Sequence, residues 1–229
     1  MSDWSFDADN GLNTVCLFPV SGLVMFPHVM QPLHVFEERY RAMLADALHG
    51  DQLIAMPVLG KKESEGPPPL KPIACLTKIV SHQPLPDGCS NILVIGLARI
   101  RLVNELPAWE PYRQAEAIPL EEQDGLADER QTSRMRKHLL ATFKQHLAVE
   151  VEDLSCRDGL LERELSLAVL TDLMAHTLPL DFRLKNQLLA ETDVEHRAAM
   201  LQQSLTEPVP RPTRPLLPVG SFPPGFSAN

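Results

Sequence analysis

The chain has 229 residues, 44% of them hydrophobic and few of them aromatic, enough to bury a sizeable core of Leu, Val, Ile and Met in one large domain or two small ones. Its net charge of −9 divides as −4 over residues 1–120, −7 over 121–207 and +2 over 208–229. No basic domain results, which argues against nucleic acid as a partner because sequence-independent binding depends on clustered Lys and Arg.

The first ten residues hold Asp3, Asp7 and Asp9 and no Lys or Arg, the reverse of a secretory signal, so residues 1–13 read as an N-terminal extension and the chain as cytoplasmic. Residues 10–36 carry no formal charge, yet Pro19, Pro27 and Pro32 and several polar residues spoil a membrane span and favour buried strand and loop. A helix follows over Val35–His49, with Phe36, Tyr40, Met43, Leu44, Ala47 and Leu48 on one stripe and Gly50 as its stop. Leu53–Leu59 is a short apolar run in which Pro57 demands an edge or a bulge. Gly60–Pro72, with prolines at 67–69, is an exposed loop.

Ile73–Ser81 and Asn91–Val103 read as a hairpin turned by Pro84-Leu85-Pro86-Asp87-Gly88, where Asp-Gly supplies positive φ. Toward the end of the second strand Ala98, Ile100 and Leu102 alternate with Arg99 and Arg101, which predicts one buried and one wet face. Gly96 within it marks a bulge or a barrel corner.

Beyond Leu120 the period changes from two to 3.6. Met135, Leu139, Phe143 and Leu147 stripe a helix over Asp128–Val149, and Leu161, Leu165, Ala168 and Val169 begin a second. A short helix starts at Asp181 and a last one runs from Asp193 to about Leu205, with Thr192-x-x-Glu195 as a capping box. Residues 208–229 hold seven prolines and no apolar period, which predicts a disordered tail. Pro210-x-Pro212 with Arg211 and Arg214 has the residue types of a polyproline ligand, a pattern common by chance.

The motifs of catalysis are missing from the sequence. Gly60-Lys61 fails as a phosphate loop because Ala55 stands at the first glycine position and Lys62 where a Ser or Thr hydroxyl must hold magnesium. No G-x-S-x-G or H-E-x-x-H occurs, and the eight histidines are scattered. The adjacent acids Glu37-Glu38 and Glu121-Glu122 point about 100 degrees apart on a helix and do not converge. Cys16, Cys75, Cys89 and Cys156 include no C-x-x-C pair, so reduced thiols are expected and no metal or cofactor.

Leu17-Phe18-Pro19 through Phe26-Pro27, then Gln31-Pro32-Leu33 leading into Phe36-Glu37-Glu38-Arg39-Tyr40, resembles the opening of the Lon protease N-terminal domain. Val94-Ile95-Gly96-Leu97-Ala98-Arg99 is similar to that family's "v-x-G-x-x-R" strand. Leu178-Pro179-Leu180 and Asp193-Val194-Glu195-His196-Arg197 resemble its "p-l" turn and "D-x-x-x-R" helix start. These segments span roughly residues 14–205 in the family's order; His28 departs from it, standing where a glycine commonly follows "FP".

The resemblance implies an α+β fold, a PUA-like six-stranded pseudo-barrel with one packed helix over residues 14–122 followed by a helical bundle over 123–207. It also implies a free-standing polypeptide-binding module without motor or peptidase, meeting polypeptide clients or a protease or chaperone partner and able to form homo-oligomers. Competing readings are an RNA-binding PUA-like protein, opposed by the charge, and an unrecognised hydrolase.

The client-binding surface is expected at the first helix and the loop before it. Tyr40, Met43 and Leu44 claim the core stripe, so Glu37, Glu38 and Arg41 face a client, and apolar capture falls to Met25, Phe26 and Met30, since flexible Met side chains suit varied partners. The alternative is that these three fill the mouth of the barrel, the commoner fate of apolar residues in such a segment.

Overall fold

The computed structural model describes residues 13–62, 66–123, 128–150, 165–206 and 227–228, with side chains for 13–62, 66–123, 128–145 and 165–205. The chain divides between Glu121 and Glu122 into two compact units, the first of which also takes in the C-terminal strand. No helix among the described residues is long and apolar enough to cross a membrane.

The first unit is an antiparallel sheet rolled around one long strand. Its elements are β1 (Asn13–Cys16), β2 (Met30–Val35), α1 (Glu38–His49), β3 (Leu53–Leu59), β4 (Leu70–Pro84), β5 (Ser90–Glu105), β6 (Gln114–Pro119) and β7 (Ser227–Ala228). Along one edge β5 pairs with β4 from Ser90 to Arg101; along the other it pairs first with β2, up to Ile95, then with β6 from Ile100. β4 continues to β3 and β6 to β1, and a parallel bridge between Leu17 and Ala55 closes the ring. The Phe18 amide donates to the Ala55 carbonyl at the same seam, 2.8 Å.

A ring of so few strands leaves a narrow interior, and small side chains fill it. Val15, Leu17, Leu76 and Ile100 pack there with Ala55, Ala74, Ala115 and Ala117. Pro57 is tolerated because β3 slips register against β4 between Pro57 and Leu59 and its other side is bridged at Ala55, two residues before the proline. The β4–β5 turn uses Gly88 at φ +81, with the Cys89 amide donating to Asp87 Oδ1.

Gly96 is where a loop crosses β5. The His28 amide donates to the Gly96 carbonyl and the Gly96 amide to the Val29 carbonyl, both 2.9 Å. A Cβ at Gly96 would lie 2.0 Å from the Phe26 carbonyl oxygen, so only glycine fits. His28 itself sits in the left-handed region, φ +64, the conformation a glycine would adopt without strain.

The second unit holds α2 (Glu129–Glu150), α3 (Leu167–Thr177), α4 (Phe182–Ala190) and α5 (Val194–Thr206). Leu139, Phe143, Leu170, Met174, Leu188, Leu189, Ala198 and Leu201 are among its buried apolar residues. Ser166 Oγ caps α3, Asp181 Oδ1 caps α4, and Asp193 Oδ1 accepts from the Glu195 and His196 amides to cap α5. Arg197, fully buried, donates to Thr171 Oγ1, the Glu191 carbonyl and Glu122 Oε1, and lies 3.6 Å from buried Asp172. The "D-x-x-x-R" spacing is thus a cap followed one turn later by an interior strut.

Five expectations need correction. Arg99 is not wet: a register slip between Leu76 and Thr77 leaves Leu97 as an extra residue, and Arg99 and its neighbour Ile100 are both buried, so both sheet faces are covered there. Phe36 lies outside α1 and is exposed, because the helix begins at Glu38 and Val35 ends a strand. The capping box gives way to Asp193, a stronger cap one residue later, and Glu195 instead accepts from Thr132 Oγ1. β4 extends the expected strand at both ends. Of the tail, residues 207–226 and Asn229 lie outside the described residues, but Ser227–Ala228 form a parallel strand beside Leu33 and His34 of β2. Leu161 and the side chain of Leu147 also lie outside the described parts of the chain.

Candidate functional site

The three strands β4, β5 and β2 form one layer whose two faces differ. Residues directly opposite each other in antiparallel strands share a face. Leu33 opposes Ile92 and Val94 opposes Ile79, and all four are buried, as is Val35. On the other face Met30 opposes Ile95, Pro32 opposes Leu93 and His34 opposes Asn91. Pro32, Leu93 and Ile95 are half-buried, whereas Met30 is 53% exposed. Beside this row Val80, the residue left over where β4 slips register against β5, is 47% exposed.

The row continues past the end of β2. The His34 ring stacks on Phe36, which is 38% exposed, with centroids 6.0 Å apart and planes at 22°. His34 Nδ1 also donates to Asn91 Oδ1, 2.8 Å, which fixes the ring on the sheet. Met30, Pro32, Leu93, Ile95, Phe36 and Val80 therefore make an apolar surface framed by Lys78, Gln83 and Asn91, residues able to hydrogen-bond. An exposed apolar surface of this kind is the sort that a protein partner, a membrane or a ligand covers.

The six residues expected at the site do not meet on one surface. Met30 belongs to the face just described. Met25 and Phe26 are 1% and 0% exposed, because the loop crossing at Gly96 draws them into the interior, and they cannot touch a client in this conformation. Glu37 is ion-paired with Arg39, 2.7 Å, whose guanidinium lies 4.5 Å from the Tyr40 ring centroid. Glu38 is exposed. Arg41 lies over the β4–β5 turn, so close that a Cβ on Gly88 would sit 2.8 Å from its Nη2.

Sequence reasoning missed Pro32, Leu93, Ile95 and Val80. The signal available was the unbroken run Ile92-Leu93-Val94-Ile95, apolar on both faces of a strand, which asks what covers the second face.

At two clefts and around Tyr112 the charged and polar groups already have partners. Two clefts of about 340 and 190 Å3 share Arg113 as a wall, but its guanidinium is already held by both carboxylate oxygens of Glu105 and by the Pro68 carbonyl. That bond keeps the Glu105 carboxyl below its ordinary pKa. Tyr112 donates to Asp46 Oδ2, 2.7 Å, and burial and that bond push its phenol far above the usual range. Nearby Cys16 is also raised by burial, which disfavours the thiolate a nucleophile needs. Among the described residues no group of three or more His, Cys, Asp or Glu side chains could hold a metal ion.

The family model of the ATP-dependent protease La (LON) substrate-binding domain matches residues 14–207. The chain belongs to the LON substrate-binding domain family. Its relatives include Lon protease 2 of Herpetosiphon aurantiacus, 29% identical over 84% of this chain, and the Lon protease of Haemophilus influenzae, 26% identical over 85%. The LON domain here spans 24% of the length of each, and the match falls on the substrate-binding rather than the peptidase part.

Two solved LON domains share its fold. The N-terminal domain of Mycobacterium avium complex Lon protease superposes with TM-score 0.66 at 18% identity, covering 85% of this chain and 99% of that one. The Lon N-terminal domain protein of Xanthomonas campestris gives 0.61 at 20%, covering 85% and 98%.

Proposed function

We propose that this LON domain is a non-catalytic module that binds extended or unfolded polypeptide on the solvent face of β2, β5 and β4. The observation that carries this reading is the row Met30–Ile95 and Pro32–Leu93, flanked by Phe36 and Val80, apolar and open to solvent on a chain of net charge −9. Such a face takes up the apolar side chains that an unfolded protein exposes, and Met30 adapts to different ones. Membership of a substrate-binding family supports a role in recognition, as does a match to that part of Lon proteases rather than the peptidase. RNA is disfavoured because residues 1–120 carry a net charge of −4.

The test is fluorescence anisotropy with labelled denatured casein. Met30→Asp in combination with Val80→Asp places two carboxylates on the exposed residues of the face without touching the buried one. Affinity is expected to fall at least about tenfold, the equivalent of roughly 1.4 kcal/mol, with an unchanged melting temperature. Unaltered casein binding by a normally folded double variant refutes the assignment.

A further inference from the structure

β2 is an edge strand with an unusual neighbour. Its inner side pairs with β5 over Met30–Val35, while among the described residues its outer side carries Ser227 and Ala228, paired parallel with Leu33 and His34. An edge strand presents unpaired backbone donors and acceptors, which is the template that an extended peptide completes. Pro32 has no N–H, so an added strand can anchor only beyond it, and that is where the C-terminal residues sit.

We propose that the chain's own C-terminal segment is a displaceable occupant of the strand-addition edge of β2, and that a polypeptide client must compete with it. The proposal rests on the polypeptide-binding reading above and adds to it a mode of entry and a restraint. Position argues for it: the edge borders the apolar face, since His34 pairs with Ala228 on one side and opposes Asn91 on the other. A two-residue ladder holds weakly. A client with four to six extended residues would pair with more of the edge from Leu33 onward and lay alternate side chains beside His34 and Phe36.

Occupation of a site by an internal competitor lowers apparent affinity by the fraction of time that the site is free. The full chain is compared with a chain ending at Pro224 and with the full-length Ala228→Pro variant, which loses a backbone donor from the added strand. Two readouts are taken, hydrogen exchange at the Leu33–Val35 amides and binding of labelled denatured casein. Both altered chains are expected to exchange faster at β2, and both should bind casein roughly threefold to tenfold more tightly.

Unchanged exchange overturns the docking of the tail whatever casein does. Faster exchange with unchanged casein affinity overturns the competition and leaves the polypeptide-binding reading intact. Casein binding by none of the three chains sinks that reading, and the competition with it, while exchange still decides whether the tail docks. Protection at β2 that grows with protein concentration would assign the edge to the tail of a second copy and overturn occupation within one chain.

Discussion

Replacing Gly96 by Ala should unfasten the loop that seats Met25 and Phe26. The added methyl would lie 2.0 Å from the Phe26 carbonyl oxygen, 2.8 Å from its carbon and 2.9 Å from the Pro27 Cα, whereas real Cβ atoms essentially never come within 3.0 Å of a neighbour. All three are backbone atoms, so no side chain can swing aside, and strand and loop must part by an ångström or more. Parting breaks the His28–Gly96 and Gly96–Val29 hydrogen bonds, each contributing about 1 kcal/mol net. Overpacking strain adds about 1–3 kcal/mol, and the lost freedom of glycine in the unfolded chain returns about 0.4–1 kcal/mol. The balance is a loss of about 2–5 kcal/mol, large against a total stability of about 5–15 kcal/mol. Urea unfolding followed by far-ultraviolet circular dichroism measures it. Gly22→Ala is the control: Gly22 has positive φ but nothing within 4 Å of where its methyl would stand, so only about 1 kcal/mol of backbone strain is expected. A Gly96→Ala loss below about 1 kcal/mol, or one no greater than that of Gly22→Ala, would refute the steric reasoning.

His28→Gly should be neutral to about 1 kcal/mol stabilising, because relief of left-handed strain outweighs glycine's extra entropy, while His28→Val should cost about 1–2 kcal/mol; the reverse order in urea midpoints would contradict the strained loop. Arg197→Ala should destabilise the helical unit by about 3–5 kcal/mol by taking the guanidinium from buried Asp172, and Arg197→Met with Asp172→Leu should recover most of it. An equal loss in both variants would show that packing rather than charge is at stake. Burial lowers the Lys185 ammonium from 10.5 to about 8, so between those values the unfolded chain holds a proton that the folded chain has released. The native chain should therefore gain stability relative to Lys185→Met as pH increases from about 8 to about 10.5, while the raised Cys16 thiol and Tyr112 phenol act in the opposite direction in both proteins; parallel pH profiles for the two would contradict the shift.

What could be read from the sequence was local and periodic. The stripe of Tyr40, Met43, Leu44 and Ala47, the Asp87-Gly88 turn, the irregularity at Pro57 and the special backbone at Gly96 each follow from one residue type or one period. Arg99 escaped because alternation assumes an unbroken ladder with one wet face, and a single extra residue at Leu97 breaks that premise. Met25 and Phe26 lie in a stretch without any period, so nothing local tells whether they point inward; the two backbone bonds at Gly96 decide it. The apolar face is a property of register across three strands, since Leu93 belongs with Pro32 only once β2 is known to pair with β5. Ser227–Ala228 is too short for any period, and its partners at Leu33 and His34 lie at the other end of the sequence.

The central claim is that polypeptide lies on the solvent face of β2, β5 and β4, and contact mapping tests it most directly. A photo-crosslinking amino acid is placed in turn at Met30, Val80 and Trp109 and irradiated with denatured casein. Trp109, 86% exposed between β5 and β6, is the most exposed large apolar side chain among the described residues and stands outside the proposed face. Casein adducts from positions 30 and 80 with little from 109 are predicted. Adducts from 109 with none from 30 or 80 would contradict the account.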